Sequence, residues 1–239
     1  MIHDSLRRVT ERISRASEKA GRKPEDVGLV LVTKEVGLAD IQTVYDLGVR
    51  DFGENRVQEW LEKRDQLPKD IRWHQIGYLQ TNKVKFLMDS IHLIHSCDRV
   101  DLAKELEKQA EKRGVRADIL IQVNTSGEDT KYGFRPDEVE GAVAEMVSFD
   151  RLTLSGLMTI GPNTDDENQI RSCFRSLKVL RDRLRERFPD VDWRYLSMGM
   201  SGDFEIAVEE GSNLLRIGSA VFGARASRHQ NRMGSDSVK

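Results

Sequence analysis

An apolar run, Val27-Gly28-Leu29-Val30-Leu31-Val32, leads through Thr33 straight into Lys34. A run with no polar residue at alternate positions reads as a strand buried on both faces, as in a parallel sheet. A lysine at the end of such a strand is partly withdrawn from water, which favours the neutral amine, a nucleophile towards aldehydes. The plainer alternative is an ammonium group that snorkels into solvent. A second stretch, Ser197-Met198-Gly199-Met200-Ser201-Gly202-Asp203, is followed after a short helix by Leu215-Arg216-Ile217-Gly218-Ser219. Small residues there let backbone N–H groups approach phosphate oxygens, and hydroxyls add donors. They also suit tight turns, with Gly199 and Gly202 supplying backbone freedom and Asp203 capping a helix. Asp203 itself argues against a phosphate at that helix end. Arg216 shares parity with Gly218, so both face one side of their strand. If that side is an interior, Arg216 needs a partner there. An ion pair with a carboxylate such as Glu54 would serve, as would a heterocyclic nitrogen.

The elements that position these residues alternate. Leu6, Val9, Ile13, Ala16 and Ala20 recur at helical spacing up to Gly21, predicting an amphipathic helix over 4–20 that covers the floor of the strand layer after it. Strands are predicted at 27–32, 49–54, 71–77, 91–97, 117–124, 152–160, 195–200 and 214–222. Each but the last precedes a helical pattern. Asp98 is placed as an N-cap and Pro136 at a first helical position. This alternation means a parallel sheet. No G-x-G-x-x-G follows the first strand, where Lys34-Glu35-Val36-Gly37 stands instead, and no G-x-x-x-x-G-K-[ST] occurs. The expected fold is therefore α/β, a single (β/α)8 barrel with an extra N-terminal helix, spanning 1–223. The polar, aperiodic stretch 224–239 is expected to be disordered.

The totals agree with one sizeable core and exclude several classes. The chain has 239 residues, 38 Lys plus Arg against 40 Asp plus Glu, and net charge −2, which gives no footing for a nucleic-acid partner. The basic runs Arg7, Arg8, Arg12, Arg15 and Arg181, Arg183, Arg185, Arg187 lie in helical patterns and read as solvated faces. No run approaches the ~20 apolar residues of a membrane span. Two cysteines, Cys97 and Cys173, and no signal-like start fit free thiols in a cytoplasmic protein.

In such barrels chemistry sits where strands end and βα loops begin. A lysine that forms a Schiff base, a phosphate cradle and an arginine for a pyridine nitrogen are together what pyridoxal 5′-phosphate requires. Six segments then carry a specific resemblance. They are Val32-Thr33-Lys34, Phe52-Gly53-Glu54-Asn55-Arg56-Val57-Gln58-Glu59, Trp73-His74-Gln75-Ile76-Gly77-Tyr78-Leu79-Gln80-Thr81-Asn82-Lys83, Gly156-Leu157-Met158-Thr159-Ile160, Leu196-Ser197-Met198-Gly199-Met200-Ser201 and Arg216-Ile217-Gly218-Ser219-Ala220-Val221-Phe222-Gly223. In this order they resemble the pyridoxal phosphate homeostasis protein family, whose fold is similar to the N-terminal barrel of alanine racemase (fold type III among pyridoxal phosphate proteins). The resemblance implies that Lys34 bears the Schiff base and Arg216 faces the pyridine nitrogen. It implies that Ser201, Gly218 and Ser219 hold the phosphate and that Asn55 lies beside the cofactor. Arg56 departs from the family, where an aromatic residue is common.

No metal site is expected, because His92 and His95 on one strand should point to opposite faces. His74 reads as a hydrogen-bonded strand-end residue and Cys97 as a half-buried neutral thiol. Three functions compete. The first is a binding protein that holds pyridoxal phosphate, supplies it within the cell (pyridoxal-phosphate-dependent apoenzymes being the recipients) and has no catalytic residue of its own, as a monomer or weak homodimer. The second is a small racemase or lyase using Tyr78, His74, Lys131 or Tyr132 as a second base. The third is a cofactor-free Schiff-base aldolase. The first is favoured: in the racemases that this barrel resembles, a tyrosine from an added C-terminal domain covers the second face of the cofactor. The 224–239 stretch has no tyrosine. An arginine opposite the pyridine nitrogen also makes a poorer electron sink than a carboxylate would.

Overall fold

A computed structural model describes residues 1–128 and 130–223. Eight parallel strands close into a barrel in chain order: β1 (Gly28–Val32), β2 (Asp51–Glu54), β3 (Arg72–Gln75), β4 (Ile91–Cys97), β5 (Ala117–Gln122), β6 (Leu152–Met158), β7 (Tyr195–Ser197) and β8 (Leu214–Ile217). Closure is made by β8 on β1, with Gly28 opposite Leu214 and Val30 opposite Arg216. The helices are α1 (Ile2–Lys19), α2 (Leu38–Asp46), α3 (Val57–Arg64), α4 (Val100–Arg113), α5 (Val139–Met146), α6 (Glu167–Arg187), α7 (Phe204–Glu209) and α8 (Ser219–Phe222). The single α/β barrel of eight strands is thus as expected, and 224–239 lies outside the described residues.

The alternation of side chains along each strand splits the core in two. One large cluster fills the space between strands and helices, and includes Leu31, Phe52, Trp60, Ile94, Phe174 and Leu215. A small one, Val30, Leu93, Leu120, Met158 and Leu214, fills the barrel interior. The rest of the interior is polar, which is why the site has a built foundation.

Several expectations are corrected. α1 packs sideways on α2, α7 and α8, because its buried stripe Val9, Ile13 and Ala16 meets helices and does not cross the barrel floor. The weakly patterned segment after β3 is a 3-10 stretch, Thr81–Phe86, rather than an α-helix. β7 stops at Ser197, since Gly199 takes φ 98° and turns the chain away. β8 stops at Ile217, and the residues beyond Gly218 fold into α8, so the eighth strand is followed by a helix too. Pro136 sits in a turn ahead of α5. Asp98 makes no side-chain cap on α4, because its carboxylate is taken by Arg99.

Candidate functional site

β1 ends in a turn. Val36 N–H donates to Thr33 O at 3.0 Å, and Glu35 within it has φ 62°, the one positive φ outside glycine among the described residues. A bulky residue in the left-handed region costs conformational energy and persists where its surroundings fix it, often at functional sites. Here the surroundings are explicit. Lys63 Nζ donates to Thr33 O (2.7 Å), Glu54 Oε1 (2.8 Å) and Glu59 Oε1 (2.6 Å), while Glu59 Oε1 also accepts from Glu35 N–H and Thr33 Oγ1 donates to Glu54 Oε1 (2.7 Å). Lys34, half-buried, is thereby carried at the C-terminal end of β1. Burial of Glu54 pushes its carboxyl above the usual range, against the pull of Lys63 and Thr33. Its second oxygen, Oε2, is buried without a hydrogen-bond partner among the described residues.

Arg216 is 4% exposed and its guanidinium lies inside the barrel. Nη1 donates to Ser197 Oγ (2.6 Å) and Nη2 to Thr159 O (2.8 Å). The ion pair with Glu54 is not formed, since Glu54 is bound to Lys63 and Thr33. Burial draws the Arg216 pKa down to about 10, with the Asp203 carboxylate opposing the shift, so the group remains charged at neutral pH. A buried cation held by two neutral oxygens, with N–H donors to spare out of five, suits a further acceptor.

Behind Arg216 a chain of contacts crosses the interior. Ser197 Oγ lies 2.8 Å from His95 Nδ1, His95 Nε2 lies 2.9 Å from His74 Nδ1, and His74 Nε2 lies 3.0 Å from Asp51 Oδ1. Arginine can only donate and an ionised carboxylate can only accept. The directions are therefore set: Ser197 donates to His95, His95 to His74, and His74 to Asp51, with both imidazoles neutral and protonated on Nε2. Burial lowers the pKa of both histidines, His95 furthest. Burial alone would raise Asp51, but hydrogen bonds from Arg72 and His74 outweigh it and hold the carboxyl well below its usual range. His74 is hydrogen-bonded, as expected.

The remaining candidates gather at the same end of the barrel as Lys34. A Cβ on Gly218 would lie 3.1 Å from Val32 O and 3.2 Å from Val32 Cβ, so the absence of a side chain lets the end of β8 lie against the end of β1. Ser201 Oγ accepts from Ala220 N–H (3.1 Å), which ties the loop after β7 to the first turn of α8 and sets Ser201 near Ser219. Asn55 follows β2, half-buried, and its backbone closes on Gly77, where a Cβ would stand 2.5 Å from Asn55 O. Arg56 is exposed at the N-cap of α3. Burial raises the Asp203 carboxyl, while its Oδ1 accepts from Met200 N–H (2.6 Å). Cys97 is fully buried, more than expected, and burial pushes its thiol up to about 12.

The sequence reading missed Ser197, His95 and Asp51 as a connected set, and Glu59 and Lys63 as the clamp beneath Lys34. It also misplaced His92. Trp73 is opposite Ile91 but His74 is opposite Leu93, so β4 carries a bulge at His92. The bulge resets the alternation, and His92 and His95 both reach His74, with ring centroids 5.4 and 5.1 Å away.

Fold and site define a barrel of the alanine racemase N-terminal type. The model of that domain matches residues 5–226. An alanine racemase from Clostridium difficile superposes with TM-score 0.71 at 18% identity, over 94% of this chain and 57% of the racemase, a likeness of fold. The chain belongs to the pyridoxal phosphate homeostasis protein family. It is 44% identical to the Aquifex aeolicus pyridoxal phosphate homeostasis protein over 223 residues, 93% of this chain and 97% of the relative. PipY of Synechococcus elongatus, in a structure with pyridoxal phosphate bound, superposes with TM-score 0.80 at 31% identity, over 90% of this chain and all of PipY.

Proposed function

We propose that the protein holds pyridoxal 5′-phosphate on Lys34 and keeps it available within the cell, without efficient amino-acid turnover. The observation that carries this reading is the buried Arg216 guanidinium, charged and hydrogen-bonded among the described residues to two neutral oxygens, at the same end of the barrel as Lys34, Ser201, Gly218 and Ser219. When bound, the cofactor supplies an aldehyde that condenses with a primary amine, with loss of water. Lys34 provides that amine from the turn held by Lys63 and Glu59. Arg216 donates towards the ring nitrogen, and a donor there leaves that nitrogen unprotonated. Ser201, Gly218 and Ser219 would hold the phosphate, and Asn55 would lie beside the cofactor.

Two of the candidate second bases, His74 and Lys131, are engaged through their acid–base atoms. His74 is sealed between His95 and Asp51. Lys131 Nζ donates to Glu128 Oε1 (2.6 Å) and Gly161 O (2.7 Å). The Tyr78 and Tyr132 rings stack 4.3 Å apart, with the Arg99 guanidinium over Tyr78. The engagement of His74 and Lys131 supports holding over turnover; the recipients in this reading are pyridoxal-phosphate-dependent apoenzymes. Among the described residues no helix is long and apolar enough to cross a membrane.

The test is the visible spectrum of the protein after loading with pyridoxal phosphate and removing the excess, followed by borohydride reduction and peptide mapping. Label on Lys34, lost in Lys34→Ala while phosphate-anchored binding persists, is the expected result. Equal labelling of wild type and variant overturns the assignment of Lys34. Deuterium exchange at the α-carbon of an amino acid at enzyme-like rates overturns the absence of turnover.

A further inference from the structure

At the N-terminal ends of the strands, opposite the mouth that holds Lys34, a second polar cluster stands. Asp51 opens β2, His74 lies within β3 and His92 sits at the β4 bulge, with one donor atom from each within 4.8 Å of the others. The bulge is the informative feature. It gives up a ladder position to turn His92 onto the face that His74 already occupies. A bulge with a structural purpose alone would not need an imidazole there, and His92 is exposed, so burial does not demand it.

We propose that Asp51, His74 and His92 bind a divalent transition-metal ion of the zinc type, with solvent in the remaining position. Two imidazoles and a carboxylate are the donor set such an ion prefers. Tetrahedral bonds of about 2.0–2.1 Å bring ligand atoms to about 3.3 Å from one another. His74 Nε2 and Asp51 Oδ1 are already 3.0 Å apart, so any closure of the cluster falls to His92, whose exposed ring is free to rotate. Both imidazoles must offer a lone pair to the ion, His74 through Nε2 and His92 through a nitrogen on its exposed ring.

Arg72 is the competitor. Its Nε donates to Asp51 Oδ1 (2.8 Å) and its Nη2 to Oδ2. The Arg72 side chain is 51% exposed, so it has room to swing into solvent when the ion arrives. The ion replaces the proton on His74 Nε2. The displaced proton leaves to solvent beside the exposed His92. His95 passes its Nε2 proton to His74 Nδ1, Ser197 passes its hydroxyl proton to His95 Nδ1, and a solvent proton entering from the barrel mouth restores the hydroxyl. One proton leaves and one enters, both imidazoles stay neutral, and Ser197 Oγ now accepts from His95 Nδ1–H, so the contact chain behind Arg216 reverses. The metal site is thus coupled to the cofactor end of the barrel through residues 74, 95 and 197.

The experiment is a Zn²⁺ titration of the full chain by calorimetry against a chelator of known affinity, with and without pyridoxal phosphate, repeated with His92→Ala and Arg72→Gln. Expected are one equivalent bound by the wild type, at least a tenfold loss in His92→Ala, and tighter binding in Arg72→Gln. His92 is exposed, so His92→Ala leaves the barrel folded, which its unchanged circular dichroism verifies. Nitrogen-15 spectra of the histidine rings report the tautomer change at His95. No binding, or binding equal in wild type and His92→Ala, overturns the site. Because Zn²⁺ binding is read on the cofactor-free chain as well, its failure is separate from a failure of the Lys34 assignment.

Discussion

Arg216 and Ser197 are joined by a 2.6 Å hydrogen bond between buried groups on adjacent strands, and Ser197 is the step through which Arg216 meets His95. Removing the hydroxyl leaves two buried partners, Arg216 Nη1 and His95 Nδ1, without that bond. An orphaned buried polar group costs roughly 1–3 kcal/mol. Ser197→Ala is therefore expected to lower unfolding stability by at least one such increment and to weaken pyridoxal phosphate binding, because Arg216 loses its orientation. Urea denaturation and a cofactor titration check this. Wild-type stability and affinity in the variant would contradict a positioning role for Ser197.

The clamp beneath Lys34 gives a second expectation. Lys63 neutralises Glu54, which is 1% exposed, and also holds Thr33 O in the turn. Breaking a buried pair by removing one partner typically costs about 3–5 kcal/mol. Lys63→Met should lose an amount of that order, and the surviving protein should label Lys34 more slowly with pyridoxal phosphate. Chemical denaturation and the rate of appearance of the visible chromophore measure the two effects. Full stability with an unchanged rate would show that the turn is held by other contacts.

Much of the fold was legible because β1 and the middle of β5 are continuous apolar runs and the helices keep a regular stripe. The residues proposed to hold the cofactor, Lys34 and Arg216, stood out because a lysine after a buried strand and an arginine within one are costly unless partnered. The contact chain was not. Ser197, His74 and His95 are individually ordinary, and what joins them is interior register, which the β4 bulge changes by one residue. A period-two reading of 92–95 cannot contain that shift. The same limit hid Lys63, since an i,i+4 Glu59–Lys63 pair on a helix reads as a solvated face until the helix is seen lying over Glu54.

Glu54 sets a pH dependence. Its folded-state pKa is raised above the ordinary value of 4.5, chiefly by burial, so the folded chain holds that proton more tightly than the unfolded chain. The contribution is full below 4.5 and is lost as pH rises through the folded-state value. Thr33, Lys63 and Glu59 are the groups that face it. Glu54→Gln does not titrate at this position. The stability of the wild type relative to Glu54→Gln should therefore improve as pH falls towards 4.5, by at most ~1.4 kcal/mol per pH unit. Denaturation midpoints of both proteins across that range test the sign. A difference that is flat, or that shrinks on acidification, would rule out a raised carboxyl.

Gly218 offers the sharpest separation of binding from folding. Its missing side chain leaves the end of β8 against Val32, two residues before Lys34, and a Cβ there would press on backbone as well as on the Val32 side chain, at 3.1 and 3.2 Å. Backbone within a closed barrel gives way less readily than the end of a flexible side chain. In Gly218→Ala the strain is relieved by moving the β8–α8 junction outwards, which carries Ser219 away from Lys34. Overpacking of this size costs about 1–3 kcal/mol, and the barrel, with its two cores intact, should tolerate it. Phosphate anchoring should not. The expected outcome is a folded variant whose affinity falls markedly for pyridoxal phosphate and much less for pyridoxal, which lacks the phosphate. Equal losses for both ligands would place the damage at Lys34 and remove Gly218 from the phosphate cradle.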